Sequence, residues 1–207
     1  MNDPLTHEYT HEECPSGDEN CPHLPELVKL REEVRELAAL VRTDELTGLY
    51  NFRYFNQAVE LEMERTRRSG QPTVLIMMDL DHFKNVNDAY GHEVGNHVLN
   101  YVAKIIRNTI RRLDIPCRYG GEEFALILPD TDLAPGVMFA NRLRLIVESA
   151  RIDIQGLKVN LTASLGVDVY QKGDERNAKQ FIDKVDAFLY DAKVCGRNNV
   201  QHPSLDD

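Results

Sequence analysis

The chain has 207 residues, 42% hydrophobic and 28% charged, enough for one compact domain with some length to spare. With 34 acidic against 24 basic residues it carries a formal net charge of −10, which repels phosphate backbones and argues against a general nucleic-acid binder; an anionic ligand must be met locally, by a cation or a few placed Lys and Arg. The opening MNDPLTHEYTHEEC has no apolar core and runs such as VLIMM are far too short for a bilayer, so the reading is of a cytoplasmic protein with no membrane partner.

Residues 1–25 are rich in Pro, Glu, Asn, Asp and His and have too few large apolar groups to bury a core, so they read as a polar leader. His7, His11, Cys14, Cys21 and His23 lie close together there and are candidate Zn²⁺ ligands, although their spacing matches no standard finger. Over 26–43, Leu27, Val34 and Val41 repeat every seven residues with Leu30 and Leu37 between them. That is an a/d seam and predicts a short parallel coiled coil that makes a homodimer; an amphipathic helix lying on its own domain is the alternative.

From residue 44 to 200 the pattern alternates between helical and strand periods, with 201–207 left as a tail. A helix is predicted from about 51 to 69, then a strand, PTVLIMMD, ending at Asp79. A short helix near HFKNVNDAY and a longer one over about 94–112 follow. IPCRYGGEEFALILP reads as a hairpin whose two glycines supply positive φ at an acidic tip. A helix over about 133–150, strands within IDIQGLKVNLTASLGVDVY and a last helix over 178–194 complete an α/β (α+β) layer domain whose sheet mixes crossovers with a hairpin.

The chemistry gathers at Asp79, which ends an apolar strand, and at Glu122 and Glu123 on the glycine turn. Carboxylates collected at strand ends hold Mg²⁺, an oxygen-seeking ion that keeps phosphate oxygens as further ligands. The two glycines remove Cβ atoms where a ligand would approach the backbone. Asp81 also reads as the N-cap of the helix that follows it. Lys193 and Arg197 are four apart and predicted on one face of the last helix, suited to one polyphosphate or, more simply, to the helix dipole.

DELTGLYNFRYF, DLDHFKNVNDAYGHEVGN, RYGGEEF, LTASLGV and DAKVCGRNNV, in this order, resemble the GGDEF family of diguanylate cyclases in its GGEEF form. The resemblance implies a fold related to class III nucleotide cyclases and polymerase palm domains, and the condensation of two GTP into cyclic di-GMP with loss of two pyrophosphates. It implies that Asp79, the Leu80 carbonyl, Glu122 and Glu123 hold Mg²⁺ or Mn²⁺, with Glu122 as proton acceptor. Asn87, His92 and Asn96 would meet the nucleotide, and Lys84, Lys193 and Arg197 its phosphates. Arg111 and Asp114, in an RxxD pattern, with Arg142 and Arg65, would form a site where cyclic di-GMP inhibits. The family most often has Asp where this chain has Asn96, which opens a mixed cyclic GMP–AMP as an alternative product. A weak cyclase that only binds cyclic di-GMP is the competing reading.

Overall fold

The computed structural model describes residues 22–154 and 156–205. The chain divides into two compact units, residues 1–42 and 43–207. In the first, helix α1 (Leu24–Leu40) begins with proline in its first turn, where a missing N–H breaks no helical bond. Of its heptad positions, Leu30 and Val34 are exposed, as is Val41 just past the helix, while the Leu37 side chain lies outside the described residues.

The second unit runs α2 (Phe52–Ser69), β1 (Thr73–Leu80), α3 (Phe83–Tyr90), α4 (His92–Thr109), β2 (Ile115–Gly120), β3 (Glu123–Pro129), α5 (Leu133–Ser149), β4 (Ile152–Ile154), β5 (Leu157–Val159), β6 (Ala163–Tyr170), α6 (Ala178–Val194) and β7 (Val200–Gln201). Ends form where the sequence supplies caps. The Asn51 side chain accepts the Tyr54 N–H at the start of α2, Gly70 closes that helix at φ 82°, and Asn177 and Gln180 make a reciprocal capping box on α6.

The strand order is β2-β3-β1-β6-β7, antiparallel except for the β6–β7 pair, with β4 and β5 a separate small hairpin. Helices cover both faces. On β1, Val74, Ile76, Met78 and Leu80 pack with Val98 and Val102 of α4 and Ala140 and Leu143 of α5, whereas Leu75 and Met77 pack with Phe55 and Val59 of α2 and Phe181 and Val185 of α6. A strand buried on both faces has no polar alternation, which is why VLIMM and FALIL read as unbroken apolar runs. The predicted α/β class with a central sheet flanked by helices is the one observed.

Two boundaries differ from the sequence reading. The helix predicted over 94–112 starts at His92, capped by Gly91 at φ 84°, and stops at Thr109 because Ile110 turns extended. Val200–Gln201, which carry no strand signal of their own, pair with β6 as β7. Among the described residues no helix is long and apolar enough to cross a membrane.

Helix α6 lies directly on β6 at Gly166, where an added Cβ would run into the backbone of Val185 and Leu189. Backbone on both sides cannot rotate away as a side chain can. Gly166→Ala should therefore cost about 3 kcal/mol, at the upper end of ordinary overpacking, and lower the thermal midpoint by about 6–12 °C. An unchanged melting curve would mean that α6 is free to lift off the sheet.

Candidate active site

Antiparallel register sets the centre of the site. Asp79, next to last in β1, pairs with Glu123, first in β3, and on its other side with Ser164 of β6. Asp79 and Glu123 share the sheet face covered by α2 and α6, because side chains of one parity point the same way. From α6, Lys193 sets its Nζ 2.7 Å from Asp79 Oδ2. Burial pushes the Asp79 carboxyl above its ordinary range, opposed by the hydrogen bond and charge of Lys193; the charge of Asp81 adds to the rise and that of Arg197 opposes it. Glu123 is raised too, first by burial and then by the charge of Asp79.

The glycine turn is not built as the sequence suggests. Neither Gly120 nor Gly121 adopts a left-handed φ. The register shifts between Arg118 and Gly120, so a bulge makes the turn that two positive-φ glycines were expected to make. A Cβ on Gly120 would press on Glu123 Oε2 at 3.0 Å, while one on Gly121 would meet nothing within 4 Å. Glu122 sits on this turn, and its carbonyl accepts the Leu80 N–H at 3.3 Å, tying the turn to the end of β1.

Arg118 holds the turn from behind, a role the sequence reading missed. Its Nε and Nη2 donate to the Gly121 carbonyl at 3.2 and 2.9 Å, and its Nη1 lies 3.2 and 3.1 Å from the two Asp44 oxygens. Asp44 also accepts the Thr47 N–H and hydroxyl, closing the DELT turn. Burial pushes the Asp44 carboxyl up, but Thr47 and Arg118 together hold it below its usual range. The D-x-x-T spacing was the available signal; its partner 74 residues away was not.

Asp81 is not a helix cap. The N-cap of α3 is His82, at φ 57° and with no side-chain cap bond. The buried Asp81 carboxylate instead accepts from Ser164 Oγ at 2.6 Å, Thr162 Oγ1 at 2.7 Å and the Asn198 N–H at 3.0 Å. Three donors from distant segments outcompete the first turn of one short helix. Arg197 is likewise not on α6, which ends at Val194; Gly196 turns the chain and the Arg197 N–H returns to the Ala192 carbonyl. Gly196, Arg197 and Asn198 have φ of 99°, 63° and 47°. For the two residues with a Cβ this costs about 2–4 kcal/mol together. The charge-assisted bond to Asp81 is worth about 1.5–3 kcal/mol and offsets most of it.

The other predicted residues divide into groups. Lys84 and His92 are exposed on α3 and at the start of α4. Asn87 lies over Gly95, where a Cβ would run into its amide oxygen, and Asn96 is exposed in the next position. Arg111 and Asp114 close on each other, the Arg111 N–H donating to Asp114 Oδ2 at 2.7 Å. Burial raises the Asp114 carboxyl against the pull of that bond. Arg142 reaches the same corner through the Thr109 carbonyl at 3.4 Å. Arg65 pairs instead with Glu62 on its own helix, 3.0 Å away. His7, His11, Cys14 and Cys21 lie outside the described residues; His23 is the N-cap of α1 and makes no side-chain cap. Cys117 is buried, its thiol pushed up to about 12 by burial, and Cys195 is exposed.

A family model described as diguanylate cyclase, GGDEF domain, matches residues 41–199. The chain belongs to the GGDEF domain family. It is 36% identical over 173 residues to response regulator PleD of Caulobacter vibrioides, covering 83% of this chain and 38% of that one. It is 38% identical over 168 residues to diguanylate cyclase A of Treponema denticola, covering 80% and 45%. The chain thus spans less than half the length of these curated relatives. The solved coiled coil and GGDEF domain of DgcB from Caulobacter crescentus, in complex with c-di-GMP, superposes with a TM-score of 0.74 at 29% identity, over 86% of this chain and 94% of that one.

In this GGDEF domain Asp79 and its cross-strand neighbour Glu123 offer carboxylate oxygens, a donor chemistry that suits a hard divalent cation. Among the described residues no group of three or more His, Cys, Asp and Glu stands preassembled for a metal, and Lys193 supplies the positive charge on Asp79. The raised Glu123 carboxyl makes a stability prediction. A carboxylate whose folded pKa lies above its unfolded one stabilises the fold at low pH and loses that contribution as pH rises through the folded value. In chelator-treated buffer Glu123→Gln should accordingly be more stable than the parent at pH 8 and show no such gain at pH 4, as read by urea unfolding. A variant less stable at pH 8 would mean that the ionised Glu123 is well solvated.

Proposed function

We propose that the protein is a diguanylate cyclase that joins two GTP into cyclic di-GMP and releases two pyrophosphates. The observation that carries this reading is the Asp79–Glu123 pair on one sheet face, with Lys193 on Asp79 and Arg197 acting on it by charge, in a chain of the GGDEF family. Asp79, the Leu80 carbonyl, Glu122 and Glu123 would hold Mg²⁺ or Mn²⁺. Once bound, that ion would make the 3′-hydroxyl more acidic and neutralise charge growing at the α-phosphate. Glu122, on the same glycine turn, accepts the hydroxyl proton. Lys193 and Arg197 bind the phosphates, Lys193 exchanging its carboxylate partner for phosphate oxygens, and Lys84 adds charge at the rim. Asn87, His92 and Asn96 contact the nucleotide.

Because each domain supplies one nucleotide, two must face each other, and pairing of α1 seams brings them together. Asn96 gives the reading its second branch. An ionised Asp accepts from two guanine N–H groups, whereas an amide offers one acceptor and two donors, so discrimination against adenine falls about tenfold to a hundredfold if nothing replaces the lost bond. Incubation with equimolar GTP, ATP and Mg²⁺ should give mainly cyclic di-GMP by mass, with turnover per chain falling on dilution and vanishing with chelator. Asn96→Asp should sharpen the preference for GTP. A dominant mixed cyclic GMP–AMP would replace the product named here, and no dinucleotide at all would leave only binding.

Arg111, Asp114 and Arg142 form the second part of the proposal, an inhibitory product site: guanidinium forks suit guanine edges and phosphates, and the Asp114 carboxylate suits guanine N–H groups. Arg111→Ala should abolish inhibition by added cyclic di-GMP and leave the initial rate within about twofold. An unchanged inhibition constant would remove the site.

A further inference from the structure

Asn198 takes no part in the chemistry proposed above, yet it is held from opposite sides by groups 117 and about 50 residues away in sequence. Its backbone N–H donates to Asp81 Oδ2 at 3.0 Å. Its side-chain oxygen accepts from Arg144 Nη1 at 2.8 Å and its Nδ2 donates to Glu148 Oε1 at 2.8 Å. Arg144 Nη1 in turn pairs with Glu148 Oε2 at 2.9 Å, so the three side chains close a ring on α5. Next to it, Arg197 is exposed and no hydrogen bond of its guanidinium to a described residue is found, while its N–H is fixed to the Ala192 carbonyl.

Left-handed backbone at two consecutive residues with a Cβ persists only where the surroundings over-determine it. Here they do so at both ends, through Ala192 before and Asn198 after. Released from that grip, Arg197 would relax toward right-handed or extended φ, and the change would swing its side chain away from the Asp79 end of the sheet. Glycine would hold these φ values at less cost. Arg at 197 keeps a charge there, and Asn at 198 tolerates the conformation while supplying one acceptor and one donor to the α5 pair.

We propose that Asn198, gripped between Asp81 at the end of β1 and the Arg144–Glu148 pair of α5, is the positioning residue that fixes Arg197 for the nucleotide polyphosphate. The proposal rests on the reading of Arg197 as a phosphate contact, and assigns to α5, on the opposite face of the sheet from α6, a direct part in shaping the site. Glu148 and Arg144 act through Asn198, and Asn198 through Arg197; none of the three touches the ligand.

The test uses the full chain and a non-hydrolysable GTP analogue titrated by calorimetry, beside kcat and KM for GTP. Asn198→Gly keeps the required φ and removes only the side chain; it should weaken analogue binding and raise KM about tenfold, with kcat changed less. Glu148→Ala, at a partly exposed position, should give a smaller loss in the same direction, and Glu148→Gln, whose amide oxygen still accepts from Asn198, should restore it. Amide exchange of segment 196–199 should quicken in the first two variants. The deciding comparison is a double-mutant cycle: in an Arg197→Ala background, Asn198→Gly should cost nothing further. Full additivity, or undiminished analogue affinity in Asn198→Gly, would overturn the proposal. A parent that binds the analogue but makes no dinucleotide would sink the cyclase reading while leaving this cycle intact as a test.

Discussion

Burial of β1 on both faces is the constraint from which the site follows. With α4 and α5 on one side and α2 and α6 on the other, residues 74–78 have no face on which a charge could be solvated, and all are apolar. A carboxylate on this strand can sit only where the strand leaves the sandwich, and Asp79 does. Antiparallel neighbours then decide its company, since β3 starts and β6 starts at that same end, bringing Glu123 and Ser164 opposite it. The price of the position is partial desolvation, visible in the raised carboxyls of Asp79 and Glu123.

Cations answer that cost locally, in a chain whose net charge is −10. Lys193 meets Asp79 directly, and Arg197 acts on it from the turn beyond α6. Arg118 is spent differently: its guanidinium joins Asp44 to the Gly121 carbonyl and leaves the turn open on the side away from it. Among the described non-glycine residues four take positive φ, and three of them, His82, Arg197 and Asn198, lie near this end, with Asp130 beyond the far end of β3. At this end the strained residues lie near the raised carboxyls of Asp79 and Glu123.

Much of this was legible in the residues. Long apolar runs marked β1 and β3, helical periodicity marked α2 over about 51 to 69, and the cluster of Asp79, Glu122 and Glu123 marked the candidate site. Three local inferences failed for one reason. Asp81 resembled a cap, Arg197 a helical residue and the two glycines a left-handed turn, because each was judged against its neighbours in sequence. Each was decided at least in part by a group far along the chain: Asp81 by Ser164 and Asn198, Arg197 by the latch on Asp81, and the turn by the Leu80 contact.

What the sequence determined alone was whatever depends on periodicity and composition over a few turns: the order of helices and strands, the apolar faces, the family-like motifs and the identity of the charged groups. Which of those groups meet was decided by tertiary structure, because strand register and the path of α6 across Gly166 are settled by packing summed over the whole sheet. Lys193 reaches Asp79 across 114 residues of chain, and Asn198 reaches Asp81 across 117, distances at which no local pattern carries information and only the burial of both faces of one sheet brings the partners together.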